Sequence, residues 1–291
     1  MTLMQKPART RKGRNTSRKI ATVEKPSRIR TLIVPDIHND VQRVDAIIAS
    51  LSGRFDQICF LGDYFDDFGD RPTDVEQVAG WLRASLEEPK RIHLLGNHDV
   101  AYLFPGDHTW CTGSTPEKMR AIRAVLDDAR LDRLRAAFEI DGWLVSHAGF
   151  HPSMTGGLNG PELVAMADES LRVLATGAPH PLFAAGFARG GPAPFGGVTW
   201  LDFTEEFQPI GNLHQLVGHT PLRGGVRGYH VLGDGSWVKT IVERGQQPPP
   251  RYSRRQCASC NWCLDSRLEA VAIVDGAKIE LVWTAEGGKW P

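Results

Sequence analysis

From residue 31 onward the chain repeats one pattern: a short apolar run, a polar cluster directly after it, and a longer amphipathic segment. The short runs at 31–35, 57–61, 91–95 and 143–146 predict β-strands, and the segments at 41–51 and 73–86 predict helices. Strands that alternate with helices are typical of an α/β fold rather than an all-α or all-β one. The length of 291 residues favours one large domain, over residues 31–291.

The later part of the chain adds a predicted helix, two loops and a hairpin. Residues 115–138 predict a helical stretch, because Ser114, Thr115, Pro116 and Glu117 form a helix start and Met119, Ile122, Leu126, Leu134 and Phe138 form a packing stripe. The Gly- and Pro-rich segment 177–197 predicts an irregular loop beside the cleft, and 245–255 predicts a surface connection. Residues 270–274 and 278–283, joined by Asp275-Gly276, predict a closing β-hairpin.

The first 30 residues differ in charge from the rest of the chain. They carry ten Lys and Arg against the single acid Glu24, and the remaining chain has a net charge of about −9. A basic arm of this kind can contact polyanions, but it contains no aromatic side chain for base stacking. We therefore expect a disordered, solvated extension, with polyanion contact as the alternative.

Targeting and cysteine signals indicate a cytoplasmic protein without a membrane span. The sequence has no run of 18 or more apolar residues, and its N-terminus lacks the apolar region of a secretory signal. The five cysteines are few and odd in number, which favours a reduced compartment over a disulfide framework.

Five polar clusters, at 36–38, 62–66, 96–99, 146–149 and 218–221, each follow an apolar run. Their chemistry-bearing side chains are Asp36, His38, Asp63, Asp66, Asn97, His98, His147 and His219. Ligands bind at the carboxyl ends of strands in open α/β sheets, so we expect the clusters to gather at one edge of the sheet and form one site. Carboxylate, imidazole and amide ligands together suit manganese, iron or zinc.

As an ordered set, the clusters resemble the five signature motifs of the calcineurin-like metallophosphoesterases, which include phosphoprotein phosphatases and bacterial diadenosine tetraphosphatases. The resemblance spans residues 36–221, and 264–276 resembles the family's closing segment. It implies a four-layer αββα sandwich in which helices flank two mixed sheets. It also implies hydrolysis of a phosphate ester by a hydroxide that bridges two divalent metal ions.

The resemblance also implies a role for each matching residue. Asp36 and His38 would hold the first metal, Asp63 would bridge both, and Asn97, His147 and His219 would complete the second. His98 would donate a proton to the leaving oxygen, with Asp66 holding its imidazole.

One position departs from the family pattern. Protein phosphatases of the family have a phosphate-binding arginine directly after the residue that matches Asp66, where this chain has Asp67. Another cation must then contact the phosphate. Arg189 is the first candidate, with Arg71, Arg223 and Arg227 behind it, and Asp99 is expected to orient its loop rather than bind metal.

The closely spaced Cys257, Cys260 and Cys263 allow more than one interpretation. Three ordinary thiols is the preferred one. A zinc site would need a fourth ligand, for which His230 and Cys111 are the candidates, and redox pairing is a further alternative.

Three functions remain open at this point. The first is a phosphatase for phosphate monoesters on proteins or nucleotides. The second is a phosphodiesterase or pyrophosphohydrolase acting on dinucleoside polyphosphates or nucleic acid ends, which the basic arm favours. The third is a binding scaffold that has kept the fold without catalysis, which the complete set of motif residues disfavours.

Overall fold

A computed structural model describes residues 28–106 and 108–284. Most of the predicted basic arm, up to residue 27, lies outside the described residues. The strands are β1 (Thr31–Val34), β2 (Gln57–Phe60), β3 (Arg91–Leu94), β4 (Leu134–Arg135), β5 (Ala137–Ile140), β6 (Trp143–Ser146), β7 (Gln215–Val217), β8 (Gly225–Leu232), β9 (Trp237–Glu243), β10 (Cys257–Cys263), β11 (Ala270–Asp275) and β12 (Lys278–Trp283). The helices are α1 (Val41–Ser50), α2 (Pro72–Leu86), α3 (Asn97–Leu103), α4 (Pro116–Val125), α5 (Asp128–Leu131), α6 (Pro152–Thr155) and α7 (Gly160–Ala175).

The strands form two six-stranded mixed sheets. The first sheet has the order β12-β11-β1-β2-β3-β4, and the second has the order β5-β6-β7-β10-β8-β9. Strands β1 to β4 are parallel, β11 pairs antiparallel with β1, and β12 pairs antiparallel with β11. In the second sheet β6, β7 and β10 are parallel, with antiparallel strands on both sides. The predicted α/β fold with two mixed sheets is confirmed.

Alternating side chains explain the four layers. Leu32 and Val34 pack in a core that also contains apolar side chains of the helices. Ile33, which lies between them in the sequence, packs in a second core. That second core also contains Trp143 and Val145 of β6, so it lies between the two sheets. Because successive strand side chains point to opposite faces, one run of apolar residues serves both cores. Helices therefore cover the outer faces of two sheets that pack against each other.

The predicted helix over residues 115–138 is wrong in its second half. Its start is as expected, since Thr115 accepts a hydrogen bond from the Lys118 N–H and α4 begins at Pro116. The helix ends at Val125, and Asp127 then caps the short α5. Leu134 lies on β4 and Phe138 lies on β5. Because β4 pairs with β3 and β5 pairs with β6, their backbone groups form sheet hydrogen bonds instead of helical ones.

The predicted hairpin and the two predicted irregular segments agree with the structure. Strands β11 and β12 pair antiparallel as the closing hairpin. Segment 177–197 is irregular apart from two 3₁₀ turns, Pro181–Phe183 and Phe187–Arg189, and 245–255 holds one more, Pro250–Tyr252. None of the described helices has the length and apolar character needed to cross a membrane.

Buried His93 on β3 predicts a pH-dependent stability. Its Nδ1 lies 3.0 Å from the Tyr64 hydroxyl and its Nε2 3.0 Å from the Ser85 hydroxyl, and burial lowers its pKa to about 3. The unfolded chain binds this proton below a pKa of about 6.5, whereas the folded chain does not. His93 should therefore reduce the free energy of unfolding by about 1.4 kcal/mol per pH unit as the pH falls from about 6.5 towards 3.

Urea unfolding at several pH values between 7.5 and about 5 tests this prediction. His93→Gln should show a shallower loss of stability with acid than the wild type, while the exposed His108→Gln should match the wild type. Equal acid dependence in wild type and His93→Gln would contradict it.

Candidate metal centre

The five polar clusters converge, but from two sheets rather than one. Asp36, Asp63 and Asn97 follow β1, β2 and β3 of the first sheet, whereas His147 and His219 follow β6 and β7 of the second. The expectation of a single sheet edge is therefore wrong. Both sheets present the carboxyl ends of parallel strands to the same region, so the clusters still form one site.

The first ligand group consists of Asp36, His38 and Asp63, which offer ligand atoms all within 4.8 Å of one another. The Nδ1–H of His38 donates to the Asp66 carbonyl oxygen at 2.6 Å, which leaves Nε2 to face the group. That Nε2 lies 3.8 Å from Asp63 Oδ2. Asp36 accepts the backbone N–H of His219 at 3.0 Å, so a hydrogen bond ties the first sheet's carboxylate to the second sheet.

The second ligand group consists of Asp63, His147 and His219, again with ligand atoms within 4.8 Å. His147 donates its Nδ1–H to the Leu61 carbonyl oxygen at 2.9 Å. Its Nε2 then faces His219 Nδ1 at 3.1 Å and Asp63 Oδ2 at 3.4 Å. The side-chain oxygen of Asn97 lies 3.2 Å from the same nitrogen. Four lone-pair atoms therefore converge in this group.

These separations fit ligands of a common cation. Two donors bound to one ion at about 2.1 Å stand roughly 3 to 3.4 Å apart. Burial alone lowers the pKa of His147, but the carboxylates of Asp63 and Asp36 raise it to about 9. The group thus attracts positive charge, and its mixed N and O ligands suit manganese, iron or zinc. Asp63 belongs to both groups, and within the part of the chain that the structure describes no other residue does so.

Two glycines leave the space that the carboxylates of Asp63 and Asp36 occupy. A Cβ on Gly96 would lie 2.0 Å from Asp63 Oδ1, and a Cβ on Gly218 would lie 2.1 Å from Asp36 Oδ1. Any larger residue at either position would displace a ligand. Asp99 adds rigidity, since its carboxylate accepts the backbone N–H groups of Asp63, Tyr64 and Gly96, each at 2.8 Å. Asp99 thus orients its loop, as the sequence predicts.

Backbone strain also concentrates at the site. His38, Asp63, Asp66 and His219 have φ values of 44°, 49°, 66° and 69°, in the left-handed region. This conformation costs about 1 to 2 kcal/mol for a residue with a Cβ. It persists where surrounding contacts enforce it, which is typical of functional sites.

His98 and Asp66 form a hydrogen-bonded pair beside the ligand groups. His98 donates Nδ1–H to Asp66 Oδ2 at 2.8 Å. Burial opposes protonation of His98, but the carboxylates of Asp63 and Asp66 raise its pKa well above the usual value. A protonated imidazole at the edge of the metal groups is placed to give up a proton.

Sequence reasoning missed the residues that hold this pair. Tyr102 donates its hydroxyl to Asp66 Oδ1 at 2.6 Å, and buried Lys118 donates to the same oxygen at 2.9 Å. The Cys111 sulfur lies 3.6 Å from the His98 ring nitrogens and accepts from the Asn97 amide at 3.2 Å. No local signal marks these residues, because α3, α4 and the loop between them bring them to the site.

A cavity of about 310 Å³ opens over the two ligand groups. Arg189 lines it as predicted, although its guanidinium also contacts Asp202 Oδ2 at 2.9 Å and the Thr220 hydroxyl at 3.1 Å. The alternatives Arg71, Arg223 and Arg227 are not among the residues that line it. Arg267, which sequence reasoning missed, does line the cavity. The sequence pattern that could have identified Arg267 is a sixth polar cluster, Asp265-Ser266-Arg267, which begins two residues after the last residue of β10.

Comparisons with known proteins agree with this geometry. Residues 29–223 match the calcineurin-like phosphoesterase family. None of the curated proteins compared with the chain matches it significantly in sequence. Because the family match covers well over half of the chain, the protein belongs to the calcineurin-like phosphoesterases, a family of phosphoester hydrolases.

Several solved structures are similar to this chain at low sequence identity. A metallophosphoesterase from Sphaerobacter thermophilus is 14% identical over 88% of each chain, with a TM-score of 0.46. A variant of a cold-active protein tyrosine phosphatase is 15% identical over 88% of this chain and 78% of its own, with a TM-score of 0.50. A serine/threonine phosphatase from Saccharomyces cerevisiae is 13% identical over 89% and 81%, with a TM-score of 0.43. Likeness at these identities concerns the fold.

Proposed function

We propose that the protein is a phosphatase that depends on two divalent metal ions and hydrolyses phosphate monoesters on proteins or nucleotides. One observation carries the proposal: the Asp63 carboxylate belongs to both ligand groups, 3.8 Å from His38 Nε2 and 3.4 Å from His147 Nε2. A shared carboxylate keeps two cations close enough for one phosphate to contact both. When bound, the ions would supply an activated water and neutralise phosphate charge.

The protein's own residues have separate roles in this proposal. Asp36 and His38 would hold one ion, Asn97, His147 and His219 would hold the other, and Asp63 would serve both; we propose manganese, iron or zinc for the pair. His98 protonates the leaving oxygen of the ester, and Asp66 fixes the imidazole through its Nδ1–H. Phosphoryl transfer depends mainly on such positioning and charge neutralisation.

Two arginines take the place of the family arginine that Asp67 replaces. Arg189 and Arg267 both line the cavity that contains His38, Asp63 and His98. The backbone of Arg267 is fixed by its N–H, which donates to Asp265 at 3.0 Å, and its guanidinium lies 5.8 Å from the centre of the Phe68 ring. Guanidinium groups bind phosphate through two parallel hydrogen bonds.

Substitution of either arginine should weaken substrate binding. Arg267→Ala and Arg189→Ala should each lower kcat/KM about 10- to 100-fold, because a hydrogen bond to a charged group contributes about 1.5 to 3 kcal/mol. Metal content should not change. Arg172→Ala, on the exposed face of α7, is the matched control and should leave kcat/KM unchanged. If both cavity variants keep wild-type kcat/KM, the phosphate contact lies elsewhere.

A substrate panel tests the function itself. The full chain would be loaded in turn with manganese, nickel, iron or zinc and assayed on a phosphomonoester, a bis-phosphodiester, phosphopeptides, dinucleoside polyphosphates and RNA ends. We expect the highest kcat/KM on a monoester. Preference for a diester or dinucleotide would favour the phosphodiesterase or pyrophosphohydrolase alternative, and inactivity with every metal would favour the binding scaffold.

The basic arm and the cellular compartment also belong to this proposal. Arg30 is the last residue of the basic arm. Its backbone N–H and its guanidinium donate to the Asp56 carboxylate at 2.8 and 3.1 Å, while residues 1–27 lie outside the described residues. We propose that the arm extends from a catalytic domain over residues 31–291 and that polyanions are its candidate partners. All five cysteines are free, which supports the cytoplasm as the compartment.

A further inference from the structure

A second cluster of metal-ligand side chains lies at the other end of β10. The side chains of His230, Cys257 and Cys260 are buried, and their ligand atoms all lie within 4.8 Å of one another. His230 Nδ1 is 3.3 Å from the Cys260 sulfur. Cys263, at the carboxyl end of the same strand, instead contacts the carbonyl oxygens of Gly218 and Thr220 beside the candidate metal centre. Cys260 is three residues away, about 10 Å along the strand.

A β-bulge is what brings the two sulfurs together. On a regular strand, residues three apart point to opposite faces. Here the pairing register between β10 and β8 shifts between Cys257 and Ser259, so Cys257 pairs with Leu232 and Cys260 pairs with His230. The extra residue, Ala258, places both thiols on the face that carries the imidazole.

The surroundings fix the imidazole against the sulfurs. The His230 ring stacks on Tyr252 at 4.4 Å, with an angle of 6° between the planes. Gly228 leaves room for the ring, since a Cβ there would lie 2.5 Å from His230 Nε2. That Nε2 is buried without a hydrogen-bond partner among the described residues, and the other ring nitrogen, Nδ1, faces the Cys260 sulfur.

We propose that Cys257, Cys260 and His230 bind a structural zinc ion that is separate from the catalytic pair. Two thiolates and one imidazole are a typical ligand set for zinc, which takes four ligands in a tetrahedron. The fourth position falls to an oxygen. The carbonyl oxygens of Arg251 and Tyr252 lie 3.4 Å from the Cys257 sulfur and 2.8 Å from the Cys260 sulfur, and water is the other source.

The ligand set differs from the sequence-based alternative at two cysteines, Cys111 and Cys263. The candidate fourth ligand His230 is present, but the other candidate, Cys111, lies beside Asn97 and His98 in the candidate metal centre. Cys263 is also outside the cluster. The zinc would link the turn at Pro250–Tyr252 to β8 and β10, and would thereby restrict the motion of the connection between β9 and β10. Because a ligand that binds only the folded state stabilises that state, loss of the zinc should lower the melting temperature.

X-ray absorption of the zinc-loaded full chain tests the proposal without any substitution. We expect zinc with sulfur neighbours at about 2.3 Å, a distance that no ligand of the proposed catalytic pair can produce because that pair uses only nitrogen and oxygen. Absence of sulfur scattering from fully zinc-loaded wild-type protein would overturn the proposal, whatever the outcome of the phosphatase assays.

Cobalt substitution assigns the sulfurs. Co²⁺-loaded wild-type protein should show thiolate-to-metal charge-transfer absorption, and Cys257→Ser, Cys260→Ser and His230→Gln should lose or strongly weaken it. Cys263→Ser, on the same strand, and Cys111→Ser, beside the candidate metal centre, are matched controls that should retain it. Loss of the band in Cys111→Ser with retention in Cys257→Ser and Cys260→Ser would place the sulfur ligand in the candidate metal centre and overturn the proposal.

Discussion

Asp63→Asn should lose metal and activity together. The substitution removes the charge of the only side chain that belongs to both ligand groups of the described residues, and it places an amide hydrogen toward His38 or His147. Metal ions contribute several kcal/mol of transition-state charge stabilisation, and about 1.4 kcal/mol corresponds to a tenfold change in rate. We therefore expect kcat to fall at least about 1,000-fold, measured with the metal content of the same sample by mass spectrometry.

The variant should stay folded, because metal binding rather than the core is affected. The neighbouring Asp67→Asn is the matched control for metal content, since Asp67 belongs to neither ligand group. It should keep both ions. Substantial turnover by an Asp63→Asn protein that contains no metal would eliminate the proposed function.

Local patterns in short segments predicted the α/β class and the convergence of the polar clusters, whereas the four-layer sandwich and the ligand roles were implied by the family resemblance. The short apolar run at 31–35 predicts a strand, and polar residues directly after such strands predict a site at the carboxyl ends; the structure adds that Leu32 and Val34 pack in one core and Ile33 in the other. Local patterns alone do not divide these strands between two sheets, since strand pairing depends on distant residues; the two sheets were implied by the family resemblance. Leu134 and Phe138 fit a helical stripe equally well, and only pairing with β3 and β6 decides against it.

The residues that the sequence did not reveal act over long separations. Lys118 reaches Asp66 across 52 positions, and Tyr102 reaches it across 36. Neither residue type is unusual on a helix, so no periodicity singles them out. Their effect is to surround a carboxylate with three donors, because His98 contacts the second oxygen of Asp66. A buried carboxylate with this many donors stays ionised and fixed in position.

His98→Ala should lower turnover while leaving the metal ions in place. His98 lies outside both ligand groups, and its Nδ1–H is held by Asp66 at 2.8 Å. Loss of a positioned general acid reduces rate by about 100- to 10,000-fold. Metal content should stay close to that of the wild type, in contrast to Asp63→Asn. Steady-state kinetics and metal analysis on the same preparation separate the two variants.

The leaving group of the substrate distinguishes a proton donor from a structural residue. An alkyl phosphate needs a proton on its leaving oxygen, whereas 4-nitrophenyl phosphate has an acidic leaving group that departs as an anion. His98→Ala should therefore lose much more activity on the alkyl phosphate than on the aryl one. Asp66→Asn weakens the hydrogen bond that positions the His98 imidazole. It should also lose more activity on the alkyl phosphate than on the aryl one, but the loss should be smaller than in His98→Ala. His180→Ala, outside the site, is the control and should retain activity on both substrates. Equal losses by His98→Ala on the two esters would mean that the imidazole shapes the site without donating the proton.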